Sequence, residues 1–272
     1  MVKLWLLRGL KKGILTTHYP KSAPTPDEIP DRSIPPKPLP SSDWKLGEKI
    51  CPTRAIQSEE SNKGKIELGN CIFCRKCSEA GFEFASDERL NSLLASSVEQ
   101  SPESTSNKDQ FANASKTFGK SFHLLMIDVG SCNACNSEVM SLGNPYYDLN
   151  RLGIFFTNSP KHADALVVVG ALNKAMVDVL KRTFESIPQP RVVISIGACP
   201  ISGGIFRGTE GFASPVSDVI PVDVEIPGCP PSPIQILQGL LIAMGKMKPK
   251  LAIKDPASDR LTTGQNVGGV DR

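Results

Sequence analysis

The chain has 272 residues, a formal net charge of +3, 40% hydrophobic and 22% charged residues. That length suits one sizeable domain plus a small one, and so slight a charge leaves no electrostatic footprint for nucleic acid. No apolar run approaches the ~20 residues needed to cross a bilayer.

Residues 1–20 read as a basic amphipathic helix. Leu4, Leu7, Leu10 and Leu15, with Trp5 and Ile14, form an apolar face, and Arg8, Lys11 and Lys12 lie opposite. Such a helix suits a membrane surface; it suits equally well a packing site on a partner or on the chain's own body. Lys3, Arg8, Lys11 and Lys12 interrupt the apolar core that a secretory signal needs, so a cytoplasmic protein is expected. In that reducing compartment eight cysteines are read as metal ligands rather than disulfides. Residues 21–46, crowded with prolines, read as an extended linker.

A compact cysteine-bearing unit is predicted over 47–86. Cys71, Cys74 and Cys77 make C-x2-C-x2-C, and Cys51 precedes Pro52. The two-cluster bacterial ferredoxin signature is C-x2-C-x2-C-x3-C-P in two copies, the fourth cysteine of each copy serving the other copy's cluster. Projected from Cys51 and Cys77, the missing cysteines would fall at Ser41, Trp44, Gly47 and Gly81. Those four together would have held one cluster. The survivors, Cys51, Cys71, Cys74 and Cys77, form the complete ligand set of the other, a first [4Fe–4S] cluster in a ferredoxin-like α+β domain. A four-thiolate zinc site is the rival, but zinc sites usually pair two C-x2-C knuckles.

Residues 87–119, with the run SSVEQSPESTSNKDQ, read as a second flexible linker. Continuous apolar runs at Phe122–Val129, Gly153–Thr157, Ala165–Val169, Arg191–Ile196 and Val219–Ile226 then predict strands buried on both faces. Helices are predicted at about 134–142, 172–184 and 232–246. The order implies a flavodoxin-like α/β domain over 120–248 with an open, mostly parallel sheet, followed by a polar tail over 249–272. Cys132 and Cys135, Cys199, and Cys229 each follow a predicted strand. Carboxyl ends of parallel strands share one edge, so three loops can deliver these four thiolates to one place, a second [4Fe–4S] site. Gly130, Gly197, Gly203, Gly204 and Gly228 would let the backbone approach it closely.

The runs GSCNACNSEV (130–139), YDLNRLGI, KHADALVVVG, IGACPISGGIFRG and IPGCPPSP resemble the small subunit of complex-I-related, membrane-bound [NiFe]-hydrogenases, of the formate hydrogenlyase type. The 20 kDa-type subunit of complex I is a more distant resemblance, with adjacent cysteines where this chain has C-x2-C. GILTTHYP (13–20) and the first cysteine set resemble the polyferredoxin-like subunit of the same assemblies, as though the two carriers were fused. The resemblance implies an oxidoreductase component that passes electrons between a ferredoxin-like module and a catalytic centre on a large subunit. It also implies two [4Fe–4S] clusters, further iron–sulfur and membrane subunits as partners, and a peripheral place on the cytoplasmic face of the cell membrane. The alternative is a nickel-free, complex-I-like quinone or ferredoxin oxidoreductase; a zinc-stabilised interaction protein is a third reading. By the same resemblance Glu138 matches an acidic residue with a role in proton movement, although its chemistry also suits a carboxylate in a helix's first turn. Ala134 replaces the glycine usual in the hydrogenase motif. His162 and Asp164 read as a turn or cap, and Arg207 faces either a cluster or a partner.

Overall fold

The computed structural model describes residues 11–12, 16–21, 36–59, 63–84, 117–118, 120–212 and 215–247. Of the predicted amino-terminal helix, Lys11, Lys12 and residues 16–20 are described, and 16–20 form bend and turn rather than helix; the centres of both predicted linkers and the tail lie outside the described residues.

The cysteine-bearing unit begins earlier than its predicted boundary. Strand β1 (Lys37–Pro38) pairs antiparallel with β4 (Phe82–Glu83), and helix α1 (Trp44–Ile50) lies between them in the chain. Helix α1 starts at 44 because Asp43 caps it, its carboxylate accepting the Leu46 N–H at 3.0 Å. It stops before Cys51–Pro52, since a residue preceding proline is pushed out of the helical region. Strands β2 (Ile56–Glu59) and β3 (Lys63–Ile66) pair antiparallel beside it. Two 3-10 turns, Leu68–Asn70 and Lys76–Ala80, bracket the C-x2-C-x2-C loop. Trp44, Ile56, Cys77, Ala80 and Phe82 make the small core.

The larger unit is a five-stranded sheet in the order β6-β5-β7-β8-β9, with every neighbouring pair parallel. Its strands are β5 (Phe122–Asp128), β6 (Ile154–Phe156), β7 (Ala165–Val169), β8 (Val192–Ile196) and β9 (Val224–Ile226). All of β7 and β8 is buried. Alternate residues serve alternate faces. Ala165, Val167, Val169, Ile194 and Ile196 pack with Val139 of α2 (Ala134–Ser141) and with α5 (Pro233–Ala243). Leu166, Val168 and Val193 pack on the other face with Leu180 of α3 (Val177–Ser186). Helix α5 is buried on all sides and opens with a capping box between Ser232 and Gln235.

Two elements differ from expectation. The apolar run from Val219 to Ile226 is a strand only over its last three residues; Ile220 and Val222 are buried because they fill the second core from a loop. A five-residue helix, α4 (Ala198–Ser202), follows β8 where only a loop was foreseen.

Candidate metal centres

The structure gathers the first four cysteines around one cleft, which Cys51, Cys71, Cys74 and Cys77 line with Ile72, Phe73 and Phe84. The loop wraps this cleft through backbone in the left-handed region at non-glycine residues, with Phe73 at φ 54° and Arg75 at φ 63° between the cysteines. Such conformations cost of order 1–3 kcal/mol each and persist where the surroundings enforce them. The Ala55 N–H donates to Cys51 Sγ at 3.2 Å and the Phe73 N–H to Cys71 Sγ at 3.4 Å. Burial pushes the Cys71 thiol up to about 12, and the thiols of Cys77, Cys51 and Cys74 add to the rise. Burial and then Cys74 push Cys77 up to about 11.

The second four meet at the carboxyl edge of the large sheet. Cys132 and Cys135 follow β5, with Cys135 in the first turn of α2; Cys199 sits in α4 after β8, and Cys229 follows β9. Their proximity shows in their acidities. Burial first, then the charges of Cys199, Cys229, Cys132 and Glu138, push Cys135 up to about 12. Burial, Cys229 and Cys132 push Cys199 up to about 11. Gly197, at φ +99°, leaves room for this set: a Cβ there would stand 2.6 Å from Cys135 Sγ. A Cβ on Gly204 would stand 3.2 Å from Cys199 Sγ.

Asp128, at the end of β5, braces the Cys132 loop, a role that spacing in the sequence did not reveal. Its carboxylate accepts the N–H groups of Gly130 and Ser131 at 2.9 and 2.8 Å, the Ser131 hydroxyl at 2.6 Å and the Asn136 amide at 2.7 Å. Burial alone would raise its pKa, but those four donors outweigh burial and hold it below the usual carboxylate range.

Four thiols in each set, brought together and packed against glycine-lined or strained backbone, form a donor set that fits a thiolate-bound cluster. A multivalent cationic core would offset the burial, and after it the neighbouring thiols, that raise the pKa values of Cys71, Cys77, Cys135 and Cys199. Among the described residues, no three His, Cys, Asp or Glu side chains are gathered as for a single metal ion.

Residues 132–243 match the family described as NADH ubiquinone oxidoreductase, 20 Kd subunit. A probable membrane-bound hydrogenase subunit of Pyrococcus furiosus is 38% identical, covering 51% of this chain and 83% of that protein. The chain belongs to this 20 Kd subunit family. An NADH-quinone oxidoreductase subunit of Citrifermentans bemidjiense is 39% identical over 51% of this chain and 75% of its own length. Subunit 7 of the Escherichia coli formate hydrogenlyase is 38% identical over 53% of this chain and 57% of its own length. The resemblance of the α/β portion to these small subunits is therefore borne out: the relatives are subunits of hydrogenase or oxidoreductase complexes.

The family match contains Cys132, Cys135, Cys199 and Cys229 and begins after the first cysteine set. Within the family portion, Glu138 lies half-buried on α2, close enough to Cys135 to raise its pKa. Asp164 does cap: its carboxylate accepts the His123 N–H at 2.7 Å, at the sheet edge opposite the thiols. Arg207 is exposed. Outside the family portion, the positions projected for a lost cluster are neighbours. Trp44 meets Phe82 edge-on with centroids 5.2 Å apart, and a Cβ on Gly47 would stand 2.8 Å from the Phe82 ring. A Cβ on Gly81 would stand 3.7 Å from the Ser41 carbonyl oxygen.

Proposed function

We propose that this chain is an electron-transfer subunit of a membrane-associated, complex-I-like [NiFe]-hydrogenase and carries two [4Fe–4S] clusters. Cys51, Cys71, Cys74 and Cys77 hold the first, in a ferredoxin-like domain; Cys132, Cys135, Cys199 and Cys229 hold the second, in the α/β domain. The observation that carries this reading is the convergence of the second set at one sheet edge, from loops after three separate strands. When bound, such clusters supply one-electron redox chemistry at potentials their surroundings set.

The chain's own residues supply position and electrostatics. The N–H groups of Ala55 and Phe73 donate to cysteine sulfurs, which stabilises thiolate charge and tunes potential. Trp44 and Phe82 fill the space where the lost cluster's cysteines would stand, which supports descent from a two-cluster ferredoxin fold. Around the second set Cys132 and Cys229 are exposed, and Met140 and Ile205 present 60% and 59% of their surface to solvent on the flanking elements. A large subunit covering that side would bury apolar surface and exclude water, with Glu138 at the margin for a proton path. Among the described residues no helix is long and apolar enough to cross a membrane; the peripheral place on the cytoplasmic face rests on the resemblance to such subunits.

The C-x2-C of Cys132 and Cys135 supports the hydrogenase over the nickel-free alternative by the resemblance drawn above, which gives the complex I type adjacent cysteines. The test has two stages. The purified chain is expected to hold about eight irons and eight acid-labile sulfides, and Cys74→Ala to remove one of two electron paramagnetic resonance signals. One or two zinc ions instead would sink the reading. Nickel measured in the large subunit that co-purifies with the chain then separates hydrogenase from nickel-free oxidoreductase.

A further inference from the structure

The two cysteine sets are joined directly. Ser202 is the last residue of α4, the helix that carries Cys199, and is buried. Its hydroxyl stands 2.9 Å from the carbonyl oxygen of Gly69 and 3.0 Å from that of Ala198, donating to the pair. It also accepts the Gly204 N–H at 3.3 Å. Gly69 belongs to the 3-10 turn that ends at Cys71, whose N–H donates to the Leu68 carbonyl at 3.0 Å. That turn is itself held: the Asn70 amide donates to the Glu67 carboxylate at 3.0 Å, and the Glu67 N–H donates to the Ala55 carbonyl at 2.8 Å. The two surfaces meet without a gap, since a Cβ on Gly69 would stand 2.8 Å from Cγ2 of Ile201.

We infer that Ser202 and Gly69 form a joint that fixes the first cysteine set against the second, with Ser202 acting as a positioning residue. This inference rests on the two-cluster reading above. Two residues of one short helix separate Cys199 from Ser202, and one residue separates Gly69 from Cys71. Each end of the joint is thus part of a ligand loop, so no hinge lies between the hydrogen bond and either thiolate. A buried hydroxyl with a carbonyl partner stabilises modestly when paired and costs more when orphaned, which makes the joint directional as well as adhesive. Gly69 matters for a second reason: a Cβ there would crowd the Ile201 side chain, so a bulky residue acts as a wedge between the two loops.

Magnetic dipole coupling between two paramagnetic centres falls with the inverse cube of their separation, so it reads the joint directly. In the full chain with both sites loaded and fully reduced, the two resonance signals are expected to be split and to relax faster than either alone. Ser202→Ala and the wedge Gly69→Val are expected to retain about eight irons, to keep each signal's own g-values, and to lose the splitting. Hydrogen exchange at residues 68–71 and 202–204 should quicken in both variants, a readout independent of redox activity. Unsplit signals in a wild-type chain with its full iron, or an unchanged splitting in both variants, would overturn the joint while leaving the clusters in place. An iron content near four or below in the wild type would sink the two-cluster reading first, and the joint with it. Should Gly69→Val fail to load its first site, Ser202→Ala alone decides.

Discussion

Asp223 stands at the amino end of β9, on the edge of the sheet opposite the thiols, and its carboxylate accepts the Val193 N–H at 2.8 Å. Burial pushes its pKa up to about 6, and the single hydrogen bond from Val193 only partly offsets that. A carboxyl with a raised folded pKa stabilises the fold fully below its unfolded pKa and loses that contribution as pH rises through the folded value. The change from 3.8 to about 6 is worth about 3 kcal/mol at neutral pH. Asp223→Asn keeps an acceptor for the Val193 N–H and removes the charge. It is expected to raise stability by about 3 kcal/mol at pH 7.5 and by about half that at pH 5, measured as denaturant midpoints at the two pH values. A gain that did not shrink on acidification would mean the carboxylate is not the source. Single residues differed in how well the sequence revealed them. Cysteines betray themselves by spacing, because ligand loops have fixed lengths. Asp223 and Ser202 do not, because each is defined by backbone groups it meets only after folding, such as the Gly69 carbonyl 133 residues from Ser202.

Among elements, the strands were legible because full burial on both faces demands unbroken apolar runs, and β7 and β8 have them. The ends of elements were less so. Val219, Ile220 and Val222 continue the apolar run that ends in β9, yet they serve the second core from outside the sheet. Helix α4 is too short for periodicity to register, although it presents Cys199 and carries the joint to Gly69. It begins at Gly197, where the chain turns from strand to helix at φ +99°, a conformation that side chains with a Cβ rarely adopt. Gly197→Ala would add strain of about 1–3 kcal/mol and place a methyl group 2.6 Å from Cys135 Sγ. The expected result is a chain that keeps the first set's resonance signal and loses the second's, with iron falling from about eight to about four. Full iron in that variant would show that the glycine matters for the turn alone. The same substitution at Gly208, where nothing lies within 4 Å of a Cβ, provides the control for backbone strain without crowding.

On the scale of the whole molecule, regions that read as successive beads are tied to one another by contacts that no local pattern encodes. The Ser202–Gly69 joint is one such tie, and a strap at residues 16–21 is another. The Thr17 N–H donates to the Tyr146 carbonyl at 2.8 Å, and the Arg151 guanidinium donates to the Thr17 carbonyl at 3.2 Å. Tyr19 is 3% exposed within the larger core, and its hydroxyl donates to the Met247 sulfur at 3.2 Å. Burial raises its pKa, so the phenol remains a donor. The strap therefore brings the beginning and end of the described chain together beside the loop that leads to β6. Its strength rests on buried ring area more than on the sulfur contact, since sulfur is a weak acceptor. Tyr19→Phe is accordingly expected to lower stability by less than about 1 kcal/mol, whereas Tyr19→Ala, which empties an aromatic site, is expected to cost about 3–5 kcal/mol. Thermal unfolding of the loaded chain measures both. Since the strap touches Tyr146, Arg151 and Met247 rather than the cysteine loops, both variants should keep their iron and the splitting of their resonance signals at temperatures where they are folded. An equal loss in the two variants would place the strap's strength in the hydroxyl, and loss of the splitting would couple the strap to the joint.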